Sequence, residues 1–411
     1  MIPRIHAKER ECDKHEQKWA KTVGKIPSQQ KNSLQANNKA VLQEDLPQKN
    51  IAVIQEDLLR NIMPVQQKFT SAANCITVQQ RQRQRRRNIV CAALGAAVVL
   101  LSVLMLVLGQ TIYSLEDIFR ALCGEQIKGV SFAVQTLRLP RMLAGVLAGI
   151  AFGIAGSTFQ SMLRNSLASP DIIGVTSGAS AAAIFCMLVL KISGFQVSVA
   201  AVVFGLTVAL VIYLLSDGGS FGGGRLIIIG IGIGAMLQAV ISFILVRASQ
   251  YDVPAAMRWL SGSLNGVKMV EIPVLVAAVF LLGGGIVLLS RRVKMFELGD
   301  EIAIALGVNV KQTRLLLTVA AVGLAAFATS VTGPIAFVAF LSGPIAARLT
   351  GDGRASALPS ALVGAMLVLA ADLIGQFAFD TRFPVGAITG ILGAPYLVFL
   401  LVRQNKKGGA I

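Results

Sequence analysis

Residues 137–174 read LRLPRMLAGVLAGIAFGIAGSTFQSMLRNSLASPDIIG, and this stretch decides the fold class. Its segment 142–163 is almost wholly apolar, and a helix of about 20 such residues spans a ~30 Å hydrocarbon core. Gly145, Gly149 and Gly153 recur every four residues in it, which lets two helix backbones approach closely in lipid. Ser169-Pro170-Asp171 then forms a typical helix start, with Ser169 or Asp171 as the cap and Pro170 fixing φ. The stretch predicts a membrane helix, a tight turn and a second helix.

Apolar runs of similar length occupy most of the chain on both sides of this stretch. Of 411 residues, 54% are apolar and 14% are charged, and the mean hydropathy is +0.68. Soluble domains carry about 25% charged residues, so we predict an all-α polytopic membrane protein with about ten transmembrane helices. The predicted spans are residues 89–109, 142–163, 172–190, 196–216, 226–246, 270–290, 312–331, 334–348, 358–378 and 386–402.

The amino-terminal residues 1–88 differ from the rest of the chain, residues 89–411, in composition. They hold 17 Lys and Arg against 8 Asp and Glu, and we predict a polar, basic tail that is disordered or weakly helical. A regulatory arm and a dispensable extension both remain open for it. Positive charge beside a first span marks the cytoplasmic side, and Arg81–Arg87 supplies it. Ten crossings then place both termini in the cytoplasm.

Several site classes are excluded by the composition. The two histidines, His6 and His15, lie in the tail, so the membrane domain has no imidazole for a haem, a zinc ion or a proton relay. The five cysteines form no CxxC pair, and we predict neither a metal site nor a catalytic residue. The net charge of +17 is divided between the tail and the loops rather than gathered in one groove, so no nucleic-acid partner is expected.

The stretch that begins at Leu137 resembles the hallmark of the FecCD-type permeases of ABC importers, the family of the cobalamin and ferric-siderophore transporters. The resemblance covers roughly residues 95–411, and Asn-Ser-Leu-Ala at 165–168 stands where Asn-Pro-Leu-Ala is usual. Gly343-Pro344 and the Arg382–Gly386 segment are similar to the FepG-type subunit of catecholate-siderophore systems. The residues that match the family motifs are Arg141, Asn165, Leu167, Ala168, Pro170, Asp171, Gly174, Gly333, Pro334, Pro384 and Gly386.

The resemblance implies the fold of a type II ABC importer permease in a bacterial plasma (inner) membrane, carrying a ferric siderophore. It also implies three kinds of partner. These are a cytoplasmic ABC ATPase dimer, a second FecCD-type permease in a homo- or heterodimer, and an extracytoplasmic siderophore-binding protein. No Walker A pattern occurs in the chain, so we expect it to bind no cofactor, with ATP and Mg²⁺ held by the partner ATPase.

Two sites follow from the same resemblance. The loop at about 291–310 resembles the family's ATPase-coupling segment, in which Gly307 can end a helix in the left-handed conformation. Its candidate coupling residues are Leu298, Gly299, Asp300, Glu301, Ala303, Ala305, Leu306 and Gly307. Arg138, which the span count places outside, matches the family's arginine that docks the binding protein.

A third group of residues has a translocation or a packing role, and the sequence does not separate the two. These are Gln160, Gly230, Gly234 and Gln238. We expect the glycines around residue 232 to pack tightly against another helix. Asp372 is the acid well inside a predicted span, and a hydrogen-bonded structural role is favoured for it. An ion-coupled secondary transporter that uses Asp372 is the alternative function, and cobalamin or haem are the alternative cargoes.

Overall fold

The computed structural model describes residues 48–216, 223–296, 299–351 and 356–408. The chain divides into two compact units, Met1–Arg85 and Arg86–Ile411. The described part of the first unit, from residue 48, is helical. The conformation predicted for residues 1–47 of the tail falls outside the described residues. The second unit contains the apolar helices.

The described ranges contain long apolar helices and several short ones. In chain order they are α1 (Gln48–Val107), α2 (Leu115–Leu122), α3 (Phe132–Leu163), α4 (Val175–Val189), α5 (Phe195–Ser216), α6 (Gly223–Arg247), α7 (Val253–Leu260), α8 (Met269–Leu288), α9 (Ser290–Phe296), α10 (Asp300–Ala305), α11 (Val310–Thr332), α12 (Val338–Thr350), α13 (Ala357–Phe377) and α14 (Val385–Gly408). These ranges contain no β-strand.

Ten of these helices correspond to the ten predicted spans. Seven of them are long and apolar enough to cross a membrane, and α4, α12 and the apolar part of α14 are shorter. The all-helical fold class is therefore confirmed. Helix α3 begins at Phe132, ten residues before the start of the predicted span, and α12 was expected to begin at residue 334 and begins at Val338. It starts late because Gly333 and Phe337 both have positive φ, 68° and 64°, and this turn cannot be helical.

The second apolar helix, α3, lies at the centre of the fold. It packs against α11, α12 and α13, and Phe152 and Phe159 on it are almost completely buried. A β-carbon on Gly364 of α13 would overlap the carbonyl oxygen of Gly149, and one on Gly156 would overlap the carbonyl oxygen of Ala339 in α12. The backbones of these helices are therefore in direct contact, as the glycine spacing in α3 predicts.

Helix α6 has the opposite character, because much of its surface is exposed. Ile228, Ile231 and Met236 are each more than 60% exposed. A β-carbon on Gly232 would meet no atom within 4 Å. The sequence predicts that the glycines around residue 232 pack tightly against another helix. At Gly232 no helix of this chain meets that prediction, because Gly232 lies on the exposed side of α6.

Candidate coupling and docking sites

Within the loop at about 291–310, the candidate coupling residues 298–307 form the coupling segment, which lies between α9 and α11 and contains the short helix α10. Gly299 has φ 114° at the start of α10, and Gly307 has φ 81° just after its end. The amide of Val308 donates to the carbonyl of Ala303 at 3.0 Å, which closes the left-handed helix end predicted at Gly307. Leu298 and the side chain of Asp300 fall outside the described residues.

The two sides of α10 differ in exposure. Ala303 is completely buried, whereas Ile302, Ile304 and Leu306 are exposed by 49%, 62% and 56%. Glu301 and Ala305 are exposed as well. The side of α10 that faces the protein thus carries the small residue Ala303, and the other side presents an apolar surface to its surroundings. Exposed apolar groups of this kind mark an interaction surface.

The turn after α3 carries the longest matched motif, and its conformation is set by side chains. Leu163 is followed by Arg164 in the left-handed conformation, with φ 51°. The Asn165 side-chain oxygen accepts from the Leu167 amide at 2.9 Å. Ala168 is buried. The motif therefore builds a compact turn after α3.

The helix start predicted at Ser169-Pro170-Asp171 is confirmed. Ser169 is extended, its side chain accepts from the Asp171 amide, and Pro170 occupies the first position of the 3₁₀ turn Pro170–Ile173. The Ser169 hydroxyl also donates to the Asp171 carboxylate at 3.1 Å. Burial raises the pKa of the Asp171 carboxyl, and hydrogen bonds with Ser169 and Thr176 oppose part of that rise. The turn ends at Gly174, whose φ is 70°.

The motif glycines near residues 333 and 386 meet at one junction of three chain segments. The amide of Gly386 donates to the carbonyl of Gly262 at 3.1 Å. A β-carbon on Gly333 would overlap the carbonyl oxygen of Trp259, and one on Gly386 would overlap that of Ser261. Pro334 and Pro384 belong to the same turns. The matched residues here join the ends of α7, α11 and α14.

Arg138 lies at the other end of α3 from Arg164, and its guanidinium is bound within the chain. It donates to the carbonyls of Leu106 and Val107 at 2.7 and 2.9 Å, and to that of Thr111 at 2.7 Å. Its guanidinium carbon also lies 4.7 Å from the centroid of the Tyr113 ring. Arg138 thus satisfies carbonyls at the carboxyl end of α1, where a helix leaves its last carbonyls without partners. Its role in docking a binding protein stays a prediction.

Asp372 of α13 forms a buried ion pair with Arg141 of α3. The Arg141 Nε and one terminal nitrogen donate to the two carboxylate oxygens, both at 2.8 Å. The side chains are 16% and 1% exposed. The Gln376 amide donates to the same carboxylate at 2.7 Å. The sequence marked both Arg141 and Asp372 but did not predict that they pair, and Gln376 was not singled out.

The two glutamines and the two glycines that were assigned a translocation or a packing role differ in their burial and contacts. Gln160 is buried and its amide nitrogen donates to the carbonyl of Phe340 at 2.9 Å, which links α3 to α12. Gln238 is exposed on α6. Gly230 is buried on α6, and a β-carbon on Gly234 would lie 3.6 Å from the Ser177 hydroxyl oxygen. Gln160 therefore bridges helices, whereas Gln238 points away from the protein interior.

Comparisons with known proteins agree over most of the chain. Residues 96–403 match the FecCD transport family. The ferric enterobactin transport system permease protein FepG of Escherichia coli K12 is 37% identical over 324 residues, which cover 79% of this chain and 98% of that protein. The achromobactin transport system permease protein CbrC of Dickeya dadantii 3937 is 37% identical over 72% of this chain and 86% of its own length.

A third relative and one solved structure extend these similarities. The Fe(3+)-citrate import system permease protein YfmE of Bacillus subtilis 168 is 32% identical over 79% of this chain and 98% of its own length. A structure described as a metal-chelate type ABC transporter in an inward-facing conformation superposes with a TM-score of 0.67. It is 24% identical and covers 77% of this chain and 99% of that one. The solved structure agrees with the fold of the helical unit.

Proposed function

The chain belongs to the FecCD transport family, and on that premise we propose that it is the permease subunit of an ABC importer that moves ferric siderophores across a bacterial inner membrane. The observation that carries the proposal is the extent of the similarity to permeases of ferric-chelate importers, which spans nearly their whole length. The apolar helices supply the multi-pass membrane domain such a subunit needs.

The energy for transport comes from a separate ATPase dimer. The chain has no Walker A motif, so ATP and Mg²⁺ belong to that partner. Helix α10 is its docking element, because Ile304 and Leu306 are exposed apolar residues beside the buried Ala303. Closure of the ATPases would then displace α10 and switch the membrane helices between two discrete packings.

The pathway for the cargo lies between this chain and a second permease of the same family. The exposed side of α6, with Ile231, Met236 and Gln238, is the surface that would face it. A ferric siderophore is large, and a wall of apolar and small residues binds it weakly enough to release it. A permease of this kind needs no metal ligands of its own, since the siderophore already coordinates the iron.

The charged segments support one membrane orientation. Arg81–Arg87 precede the apolar part of α1, and positive charge beside a first span favours a cytoplasmic amino terminus. The carboxyl terminus lies on the same side after ten crossings. Arg138 is then on the outer face, where the siderophore-binding protein docks.

Ion-coupled transport is disfavoured by the surroundings of Asp372. An ion site at the membrane midplane needs ligands that are free to bind the ion, and Asp372 is the candidate for that role. Both oxygens of Asp372 already accept hydrogen bonds from Arg141, and one also accepts from Gln376. The carboxylate therefore has a structural partner in place of a transported cation.

The proposal is tested by uptake of radiolabelled iron in cells that lack this chain. A panel of ferric siderophores, together with cobalamin and haem, is offered before and after restoring the full chain or a chain deleted for residues 1–80. We expect one siderophore class to be lost and then recovered by the full chain. If uptake of only cobalamin or only haem is lost, that compound is the cargo in place of a siderophore. Unchanged uptake across the whole panel would refute the proposal.

A further inference from the structure

Phe296 is completely buried although it ends a basic helix. Helix α9 has the sequence SRRVKMF, and a helix of that composition beside a loop would be expected to lie in water. Phe296 instead belongs to the central hydrophobic cluster, which also contains Phe159 and Leu317. The residue that leads into the coupling segment is therefore fixed inside the protein.

Arg314, in the second turn of α11, covers this ring. Its guanidinium carbon lies 5.6 Å from the Phe296 ring centroid, and the residue is only 8% exposed. A guanidinium over an aromatic face is attracted by the ring quadrupole, and removal of water strengthens the attraction. Phe296 and Arg314 thus join α9 to α11.

The coupling segment lies between these two residues and has further attachments at its ends. Helix α9 packs against α3 and α10, and α10 packs against α11. The side chain of Asn309 accepts from the Gln312 amide at 3.1 Å and caps α11. A β-carbon built on Gly299 would lie 3.8 Å from a terminal nitrogen of Arg164, the residue that directly follows α3. The coupling segment therefore packs against α11 through α10 and comes close to the end of α3 at Gly299.

We propose that the stack of Phe296 on Arg314 is the anchor through which movement of the coupling segment is passed to α3 and α11. This inference rests on the proposed function, because it requires an ATPase that acts on α10. Helix α3 is in backbone contact with α12 and α13 through Gly156 and Gly149, so a displaced anchor moves these helices together. Phe296 and Arg314 are positioning residues, since they touch neither ATP nor cargo.

The test uses the complete importer in proteoliposomes, with its second permease, its ATPase and its binding protein. The measured quantity is the number of ATP molecules hydrolysed per ferric siderophore transported. We expect Phe296→Leu and Arg314→Met each to raise this ratio by about fivefold or more, the lower range of typical coupling effects. The effect of the double variant should be smaller than the two single effects combined, because both changes remove the contact between Phe296 and Arg314.

Two exposed residues supply matched controls. Phe280→Leu changes a phenylalanine that is 81% exposed, and Lys311→Met removes an exposed positive charge from α11 itself. Both should leave the ratio at its wild-type value. Arg314→Lys keeps the charge without the planar guanidinium, and it should give an intermediate ratio that a general loss of stability would not produce.

Assembly is measured by co-purification of the ATPase with each variant. If Phe296→Leu does not assemble with the ATPase, the ratio is measured with Phe296→Met. If Arg314→Met does not assemble, it is measured with Arg314→Lys. An unchanged ratio in assembled variants, or independent additive effects in the double variant, would overturn the anchor. A wild-type complex that moves no ferric siderophore on ATP hydrolysis would instead overturn the proposed function, and the anchor with it.

Discussion

Arg141 of α3 and Asp372 of α13 form a two-pronged ion pair in which two nitrogens of the guanidinium donate to the two carboxylate oxygens at 2.8 Å. The carboxylate is 1% exposed, so the pair is withdrawn from water. On the same two helices, Gly149 and Gly364 bring the backbones into contact. The ion pair and the glycine contact together fix α3 on α13, and the first two predictions separate their contributions.

Removing one member of the ion pair should destabilise the protein strongly. Arg141→Met leaves a buried carboxylate without its partner, which typically costs about 3–5 kcal/mol. Replacing both residues, by Arg141→Met with Asp372→Leu, should recover most of that loss because no buried charge remains. Thermal unfolding of the purified protein in detergent micelles measures both effects. A single variant as stable as wild type, or a double variant that loses the sum of the single effects, would contradict this role.

The close approach of α3 and α13 predicts a position-dependent effect of added methyl groups. Gly364→Ala would place its methyl on the carbonyl oxygen of Gly149, and overpacking of this kind costs about 1–3 kcal/mol. Gly232→Ala on α6 is the matched control, since its methyl would meet no atom within 4 Å. Thermal unfolding should show a lower midpoint for the first variant alone. Equal midpoints would mean that α3 and α13 are not in backbone contact.

Of the two contacts between α3 and α13, the glycine contact could be predicted from the sequence and the ion pair could not. Apolar runs locate the membrane helices, and the Gly145, Gly149 and Gly153 spacing identifies a tightly packed face, because both are local patterns. The same kind of pattern misled at Gly232, since spacing does not tell which face has a neighbour. Arg141 and Asp372 are 231 residues apart, so their pairing depends on which helices become neighbours. That information is not present in either segment alone.

The turns of the candidate sites were predicted from the sequence, but their contacts with other elements were not. The left-handed end at Gly307 and the cap at Ser169 follow from local chemistry, and the structure confirms both. The carbonyl contacts of Arg138 and the stack of Phe296 on Arg314 were not predicted. Both join elements that are separate in sequence, so they become visible only when the helices are assembled.

Arg138 has a structural contact and a predicted docking role, and one variant tests both. Arg138→Glu should weaken binding of the siderophore-binding protein and reduce uptake, because charge pairs fix docking orientation and speed association. It should also lower thermal stability, because three carbonyls lose their donor. Affinity for the binding protein is measured on the folded, detergent-purified importer. Lower stability with unchanged affinity and uptake would leave Arg138 a purely structural residue.

The partly buried Asp171 predicts a pH-dependent stability. Burial raises the pKa of this carboxyl in the folded protein, whereas an unfolded aspartate titrates near its ordinary value of about 3.9. Between these two values the folded state binds more protons, so the free energy of unfolding falls as the pH rises. Asp171→Asn cannot ionise and keeps an oxygen that can accept from Ser169. Thermal midpoints measured from pH 4 to pH 8 should fall less for this variant, and parallel curves for the two proteins would contradict the prediction.

The central claim, import of a ferric siderophore driven by a separate ATPase, is tested most directly in reconstituted vesicles. The chain is assembled with its second permease, its ATPase and its binding protein, and accumulation of the iron-55 siderophore is followed with ATP supplied or withheld. The account predicts accumulation that requires ATP and the ATPase and is insensitive to collapse of ion gradients. Accumulation by vesicles without the ATPase, abolished when an ion gradient is collapsed, would contradict it.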